Sequence, residues 1–225
     1  MNRSTARSQY RGQMSPEDIE AKVARLRERL GLEDVTFTEG VGLDVGSVSL
    51  RFQVLGRRVE RTCATQPTPA ANSACLALWL EDRARNLERG IESFEEAFAD
   101  CLVLAANDDN DAAKGAWRVN HYEGQRSIEE CIEVFRSSLA RLSVAERDVK
   151  VTWDTAANWA RLRMRLPSGA IVDKTSRTQK SCEANLAALA LWLQSRARNW
   201  ERGIESLDLD RVFAGNLLPA PAKVA

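Results

Sequence analysis

Apolar residues recur every three or four positions in four segments of the chain, which is the period of a helix that buries one face. In the first segment, about Pro16–Leu30, this spacing places Ile19, Val23, Leu26 and Leu30 on one stripe. The second and fourth segments begin with helix-start signals, because Thr68 precedes a proline and Ser181 occupies the matching place. The pattern therefore predicts four helices, with approximate ranges Pro16–Leu30, 68–93, Ile128–Leu142 and 181–206.

Between the first and second helices, and again between the third and fourth, the pattern changes to strict alternation of apolar and polar residues. This alternation is typical of strands that bury one face of a sheet. Turn residues at Gly56-Arg57 and at 167–169 separate the last two strands of each set. Six strands are predicted, namely Val35–Thr38, Ser47–Leu55, Arg58–Ala64, Val149–Trp153, Trp159–Leu166 and Ile171–Thr175.

The two sets of elements also repeat in sequence. Residues 56–93 align without gaps on residues 169–206, with 23 of 38 positions identical, and RARNLERGIES returns as RARNWERGIES. A period of this size indicates a duplicated structural unit. The sequence predicts an α+β protein of two tandem α-β-β-β-α modules, each a three-stranded antiparallel sheet packed on two helices.

The segments outside the repeat set the predicted domain boundaries. Residues 94–106 are expected to continue the second helix, and the polar, acidic stretch 107–111 lacks the apolar residues of a core. Its carboxylates do not follow the order of a calcium loop, because Ala112 and Ala113 interrupt the pattern. The predicted ranges are a basic arm at 1–15, module 1 at 16–106, a linker at 107–127 and module 2 at 128–225.

Overall charge excludes any strong global attraction to a polyanion, because 32 basic residues balance 32 acidic ones. Nucleic-acid binding would have to come from local patches, and the acid-free N-terminal arm offers Arg3, Arg7 and Arg11. The five cysteines include no C-x-x-C pair, and no apolar stretch approaches the roughly 20 residues that a bilayer requires. We expect no metal, no cofactor, no membrane partner and a cytoplasmic location.

The order of elements resembles that of the double-stranded RNA-binding domain. The second module is the more similar, since RTQKSCEANLAALALWL matches the basic, alanine-rich start of that family's second helix. The resemblance implies phosphate contacts from basic residues there, which in this chain would be Lys174, Arg177 and Lys180. The first module departs from the pattern, with Arg61, Ala64 and Pro67 at those places.

A second, more local resemblance is to a segment that precedes the J-domain in some bacterial and phage J-domain proteins. The matching residues of this chain are Asn185, Leu186, Ala188, Ala190, Arg196, Ala197, Arg202, Gly203 and Ile204, followed by FAGNLLP at 213–219. No His-Pro-Asp motif is present, and His121 is the one histidine of the sequence. This resemblance implies a role linked to a protein partner.

Residues that are identical in the two repeats form two groups of candidate functional positions. The first is a strip at spacings of 4, 3 and 4 along each long helix, made of Trp79, Arg83, Asn86 and Gly90 and of Trp192, Arg196, Asn199 and Gly203. An outward strip could stack on a ligand, whereas an inward one could join the modules into an intrachain pseudo-dimer. The second group surrounds the start of the helix and could bind an anion or cap the helix. It comprises Thr62, Thr65, Gln66 and Asn72, repeated as Thr175, Thr178, Gln179 and Asn185.

Catalytic chemistry has no recognisable motif in this sequence. His121 has no partner at a recognisable spacing, and the Gly40-Val41-Gly42 run lies between two strands, whereas a dinucleotide fingerprint joins a strand to a helix. The repeats share two carboxylates, Glu88 and Glu92, which lie on one predicted helical face with Arg85 and Arg89. Such a pattern is typical of a solvent-exposed face with ion pairs. We therefore expect a non-enzymatic binding protein, with nucleic acid as the first choice of ligand and a protein-binding adaptor or assembly subunit as the alternative.

Overall fold

The computed structural model describes residues 14–40, 46–99, 101–103, 126–204 and 208–218. Arg3, Arg7, Arg11, His121 and the predicted linker lie outside the described residues. The protein is α+β, with two separate antiparallel sheets and helices. The elements are α1 (Pro16–Leu30), β1 (Glu33–Glu39), β2 (Val48–Val54), β3 (Arg57–Cys63), α2 (Pro69–Glu88), α3 (Phe94–Phe98), β4 (Leu102–Val103), α4 (Ile128–Arg141), β5 (Val149–Asp154), β6 (Trp159–Arg165), β7 (Ile171–Ser176), α5 (Cys182–Glu201) and α6 (Leu209–Val212).

The first helix of each half begins just after a serine that caps it. Ser15 caps α1 by accepting a hydrogen bond from the Asp18 backbone at 3.2 Å, and the Asp18 carboxylate bonds back to Ser15. Ser127 and Glu130 form the same reciprocal pair at the start of α4. Each pair satisfies backbone N–H groups that a helix start leaves free.

The sheets have simple antiparallel order, β1-β2-β3-β4 in one and β5-β6-β7 in the other. In the central strand β2, every second residue is buried, and β6 repeats the alternation. The side chains on the buried faces of these two strands are Val48, Leu50, Phe52 and Val54 in the first and Ala160, Leu162 and Met164 in the second. The other face of β2 carries polar residues, and that of β6 carries Trp159 and three arginines.

The long helices end earlier than their periodicity predicts. We expected them to run to about Ser93 and Ser206, but α2 ends at Glu88 and α5 at Glu201. Gly90 and Gly203 follow these ends with φ of +62° and +68°, a left-handed conformation that stops a helix. The predicted helical ends are therefore wrong by about a turn.

The expectation that residues 94–106 continue the second helix is also wrong. Ser93 caps a new short helix, α3, by accepting a hydrogen bond from the Glu96 backbone at 3.2 Å. The chain then forms β4, which pairs with β3, and the Glu60 backbone donates to the Cys101 carbonyl at 3.0 Å. A new N-cap and a strand edge thus replace the continuous helix.

The chain folds into two compact units. Unit 1 contains residues 1–85, 101–116 and 199–205, and unit 2 contains residues 86–100, 117–198 and 206–225. The ranges 16–106 and 128–225 stay predictions from sequence, and so does the intrachain pseudo-dimer. The units differ from those ranges because residues 86–100 fold with the second half of the chain and residues 199–205 with the first.

Within the part of the chain that the structure describes, no helix combines the length and apolar character needed to cross a bilayer.

Candidate nucleic-acid interface

Lys174, the first of the three predicted phosphate contacts, is buried inside unit 2. It lies in β7 between the buried residues Val172 and Ser176, so strand alternation directs it away from solvent. Its amine is 2.7 and 2.8 Å from the two carboxylate oxygens of Glu96. The side chain is only 5% exposed, so the predicted role in phosphate contact does not fit its position, and Lys174 instead neutralises a carboxylate.

Arg177 and Lys180 are exposed, as the resemblance implied. Both lie between β7 and α5, and no acidic side chain among the described residues forms an ion pair with either. The first turn of α5 is capped by Ser181, which accepts a hydrogen bond from the Ala184 backbone at 3.1 Å. Capping and two free cations therefore occur together at this end of the helix.

The tryptophan, arginine and asparagine side chains of the two predicted strips are buried. Trp79 and Trp192 are 0% exposed, and Arg83 and Arg196 are at most 2% exposed. In unit 1 the Arg83 guanidinium lies 5.7 Å from the Trp79 ring centroid, a cation–π distance. An outward-facing recognition strip is not what this structure contains, because neither indole is open to a ligand.

In unit 2 the strip residues surround a buried carboxylate. Glu92 forms an ion pair with Arg196, and both side chains are at most 2% exposed. The Trp192 indole donates to Glu92 at 2.8 Å and the Asn86 amide donates at 3.0 Å. The sequence interpretation placed Glu92 on a solvated ion-pair face, and that interpretation is wrong. Three side chains thus donate to one buried carboxylate, which fixes the segment after α2 within unit 2.

The second shared group binds the carbonyl oxygens at helix ends. In unit 2 the Gln179 amide donates to the Arg89 carbonyl at 2.6 Å, and the Thr178 hydroxyl lies 3.2 Å from the same oxygen. In unit 1 the Gln66 amide and the Thr65 hydroxyl donate to the Arg202 carbonyl at 2.9 and 2.8 Å. These donors satisfy carbonyls that the last helical turn leaves free.

The asparagines of this group hold the loop before each long helix. Asn72 accepts from the Gln66 backbone at 3.0 Å, and Asn185 accepts from the Gln179 backbone at 3.1 Å. A second donor reaches each amide oxygen, the Cys63 thiol at 3.0 Å in unit 1 and the Ser176 hydroxyl at 2.8 Å in unit 2. Both asparagines are fully buried, so the group has structural partners in place of a bound anion.

The open face of the β5-β6-β7 sheet carries the densest row of cations in the described part of unit 2. Arg161, Arg163 and Arg165 alternate along β6 with buried residues, and Lys150 of β5 is the cross-strand partner of Arg163. Arg161 is held by an ion pair with Asp173 of β7. Lys150, Arg163 and Arg165 are exposed and form no ion pair with a described residue.

An aromatic ring and a shallow groove border this row. Trp159 opens β6 on the same face as Arg161 and is partly exposed. At the other end a groove of about 250 Å³ is lined by Arg147, Lys150, Arg163 and Arg165 together with apolar side chains and Asp148. The face thus combines fixed and free cations with one indole and with the carboxylates of Asp154 and Asp173.

On the matching face of the unit 1 sheet, the cations Arg51 and Arg58 both lie beside the Glu60 carboxylate. The central strand of that sheet presents Ser49, Arg51 and Gln53, and Arg51 is neutralised by Glu60 at 2.8 Å. Thr36, the cross-strand partner of Arg51, stands where unit 2 has Lys150. The same fold therefore forms without the cation row, which shows that the fold does not require it.

Sequence reasoning missed this face although a signal was present. The stretch Trp159–Arg165, WARLRMR, alternates strictly, and the apolar half of the pattern predicted the strand. Its polar half is entirely arginine after the tryptophan, which marks a solvent face of one charge sign.

Reactive thiols and metal-binding clusters are the remaining candidates for chemistry. Among the described residues no cluster of three or more His, Cys, Asp or Glu side chains could hold a metal ion. Burial raises the pKa of the Cys131 and Cys182 thiols, which opposes their ionisation. A hydrogen bond between Cys63 and Cys75 lowers the pKa of the first thiol and raises that of the second.

No family model, no curated protein and no solved structure matches this chain.

Proposed function

We propose that the protein is a non-enzymatic nucleic-acid-binding protein that uses a basic surface on unit 2. This basic surface has two parts, which are Lys150, Arg163 and Arg165 on the open face of the β5-β6-β7 sheet and Arg177 and Lys180 between β7 and α5. The observation that carries the proposal is that all five cations are exposed and form no ion pair with a described residue. In a chain of zero net charge, cations without a carboxylate partner are local sites for a polyanion.

The size of the surface sets the expected salt dependence. Each phosphate that a lysine or arginine neutralises releases counterions, which contributes a slope of about −0.7 to −0.9 to log K against log salt. Engagement of most of this surface therefore predicts a moderate slope, smaller than that of large DNA-binding proteins. The N-terminal arginines Arg3, Arg7 and Arg11 would add to the slope if the arm also contacts phosphate.

The surface that we predicted for binding a protein partner is buried, which removes the main argument for an adaptor. Its candidate contacts were the tryptophan, arginine and asparagine side chains of the two strips, and these are buried. We therefore propose nucleic acid alone and treat a protein partner as an outcome of the test.

Fluorescence anisotropy with four labelled probes tests the proposal, using U20 and dT20 single strands and 20-base-pair RNA and DNA duplexes. We expect at least one probe to bind at 50 mM salt and to weaken steeply as salt rises. Arg177→Glu with Lys180→Glu should weaken binding more than Arg57→Glu with Arg58→Glu in unit 1. Failure of all four probes at low salt overturns the proposal and favours the adaptor.

A further inference from the structure

We propose that the open face of the β5-β6-β7 sheet is a binding site for single-stranded nucleic acid, with Lys150, Arg163 and Arg165 on phosphates and Trp159 stacked on a base. This inference rests on the proposed function and names the ligand class of its basic surface. It is carried by the cation row, the adjacent indole and the contrast with the sheet of unit 1.

The dimensions of the face suit an extended strand of a few nucleotides. Residues two apart on a β-strand are about 7 Å from each other, so Arg161, Arg163 and Arg165 form an evenly spaced row. From Trp159 to Arg165 the row extends for about 20 Å. Successive phosphates of an extended single strand recur at a comparable spacing, so one strand can meet several of these cations in turn.

The chemistry of the side chains suits the two parts of a nucleotide. A guanidinium presents N–H groups in a planar fork that matches two phosphate oxygens, and Arg163 and Arg165 have these groups free. Arg161 is held in place by Asp173 and is less available. Trp159 is partly exposed, and an indole is a ring on which any base can stack.

A duplex fits this face less well than a single strand. Three strands span about 10 Å between the outer two, and the major groove of B-DNA admits an α-helix or a two-stranded ribbon. The major groove of A-form RNA is deeper and narrower still. Stacking on Trp159 also requires a base that is not already stacked on both sides, which a single strand supplies.

Ordinary solvation of a strand does not account for the row. The unit 1 sheet has the same three-strand order on its first three strands, and at the matching places it carries Thr36 and Gln53. Those residues sustain the fold without a charge. The added cations in unit 2 repel one another, so their presence is better explained by a ligand that compensates them.

The contrast between the sheets also supplies the test variants. Lys150→Thr with Arg165→Gln gives unit 2 the residues that unit 1 carries at those places, so the variant is expected to fold. Arg25→Gln with Arg58→Gln removes two exposed charges elsewhere and is the matched control. Trp159→Leu removes the stacking ring but keeps apolar volume, and Trp159→Phe keeps a ring.

We expect the Lys150→Thr, Arg165→Gln variant to bind U20 or dT20 at least about tenfold more weakly at 50 mM salt, with a salt slope smaller by about 1.4. The control should change affinity less than about twofold. Trp159→Leu should weaken single-strand binding about tenfold, and Trp159→Phe should keep most of it. Melting temperatures of all four variants check that folding is intact.

Other outcomes separate this inference from the proposed function. Binding of duplexes alone, reduced by Arg177→Glu with Lys180→Glu but not by the sheet variants, overturns the inference and leaves the function. Single-strand binding that the sheet variants do not weaken also overturns it. If no probe binds the wild-type protein, both proposals fall.

Discussion

At the scale of single residues, Gly203 shows how closely a helix end approaches a loop within unit 1. A Cβ atom at Gly203 would lie 2.7 Å from the Thr65 side chain, closer than real contacts allow. The backbone φ of +68° adds a second obstacle to any other residue. A glycine is therefore required here for space as well as for conformation.

We predict that Gly203→Ala destabilises the protein more than Gly56→Ala does. Gly56 has a similar φ of +73°, but nothing lies within 4 Å of the position that a Cβ atom would take there, so alanine costs about 1 to 2 kcal/mol for conformation alone. Overpacking against Thr65 should add about 1 to 3 kcal/mol at Gly203. Urea denaturation measures both changes. Equal losses would show that Gly203 is not packed against Thr65.

Several residues have a role that the sequence did not predict, and each of them contacts a residue that is distant in the sequence. Lys174 is correctly identified as basic, but its carboxylate partner Glu96 is 78 residues away. Thr65 and Gln66 were identified as helix-start residues, yet they bind a carbonyl at Arg202. Strand parity alone could have shown that Lys174 shares the buried face of β7 with Val172.

At the scale of elements, prediction succeeded where the determining groups are neighbours in sequence. The range of α1 was predicted to the residue because Ser15, Pro16 and Gly31 are local start and stop signals. The end of α2 was missed because Ile91 continues the apolar stripe beyond the glycine that ends the helix. The spacing of apolar residues does not show where a residue such as Gly90 adopts a positive φ and ends the helix.

The buried ion pair between Glu92 and Arg196 gives a prediction for the segment that follows α2. Either single change, Glu92→Leu or Arg196→Met, leaves a charge without its partner and should cost about 3 to 5 kcal/mol in unfolding free energy. The double variant removes both charges, so its loss should be smaller than the sum of the two by at least about 1 kcal/mol.

Urea denaturation of the four proteins measures this coupling. The exposed pair Arg136–Glu133, 4.0 Å apart, is the matched control, and its coupling should stay below about 0.5 kcal/mol. Additive losses at Glu92 and Arg196 would mean that the two charges do not stabilise each other in the folded protein.

At the scale of the whole molecule, sequence periodicity could not predict which residues belong to each of the two units. The repeat predicts two continuous modules, each of a helix, three strands and a long helix, and the protein is α+β with two separate antiparallel sheets and helices. Contacts instead place residues 86–100 in unit 2 and residues 199–205 in unit 1. The segments RARNLERGIES and RARNWERGIES differ at one position, so their sequences alone do not indicate which unit each one joins.

This exchange predicts the result of cutting the chain between its halves. Replacing residues 107–111 with a specific protease site allows the chain to be cut into an N-terminal and a C-terminal fragment. Each unit would then contain residues of both fragments. In unit 1 the carbonyl of Arg202 accepts from Thr65 and Gln66, and in unit 2 Glu92 accepts from Trp192 and pairs with Arg196. We expect the fragments to remain together after cleavage under native conditions.

Size-exclusion chromatography before and after cleavage, with and without urea, measures this association. The cut protein should elute with the intact one and separate only when urea unfolds it, and Glu92→Leu should lower the urea concentration at which the fragments separate. Two continuous modules would behave differently, because each fragment would then carry a complete core. Fragments that part in native buffer and still unfold cooperatively would therefore support the predicted ranges 16–106 and 128–225 as the folding units.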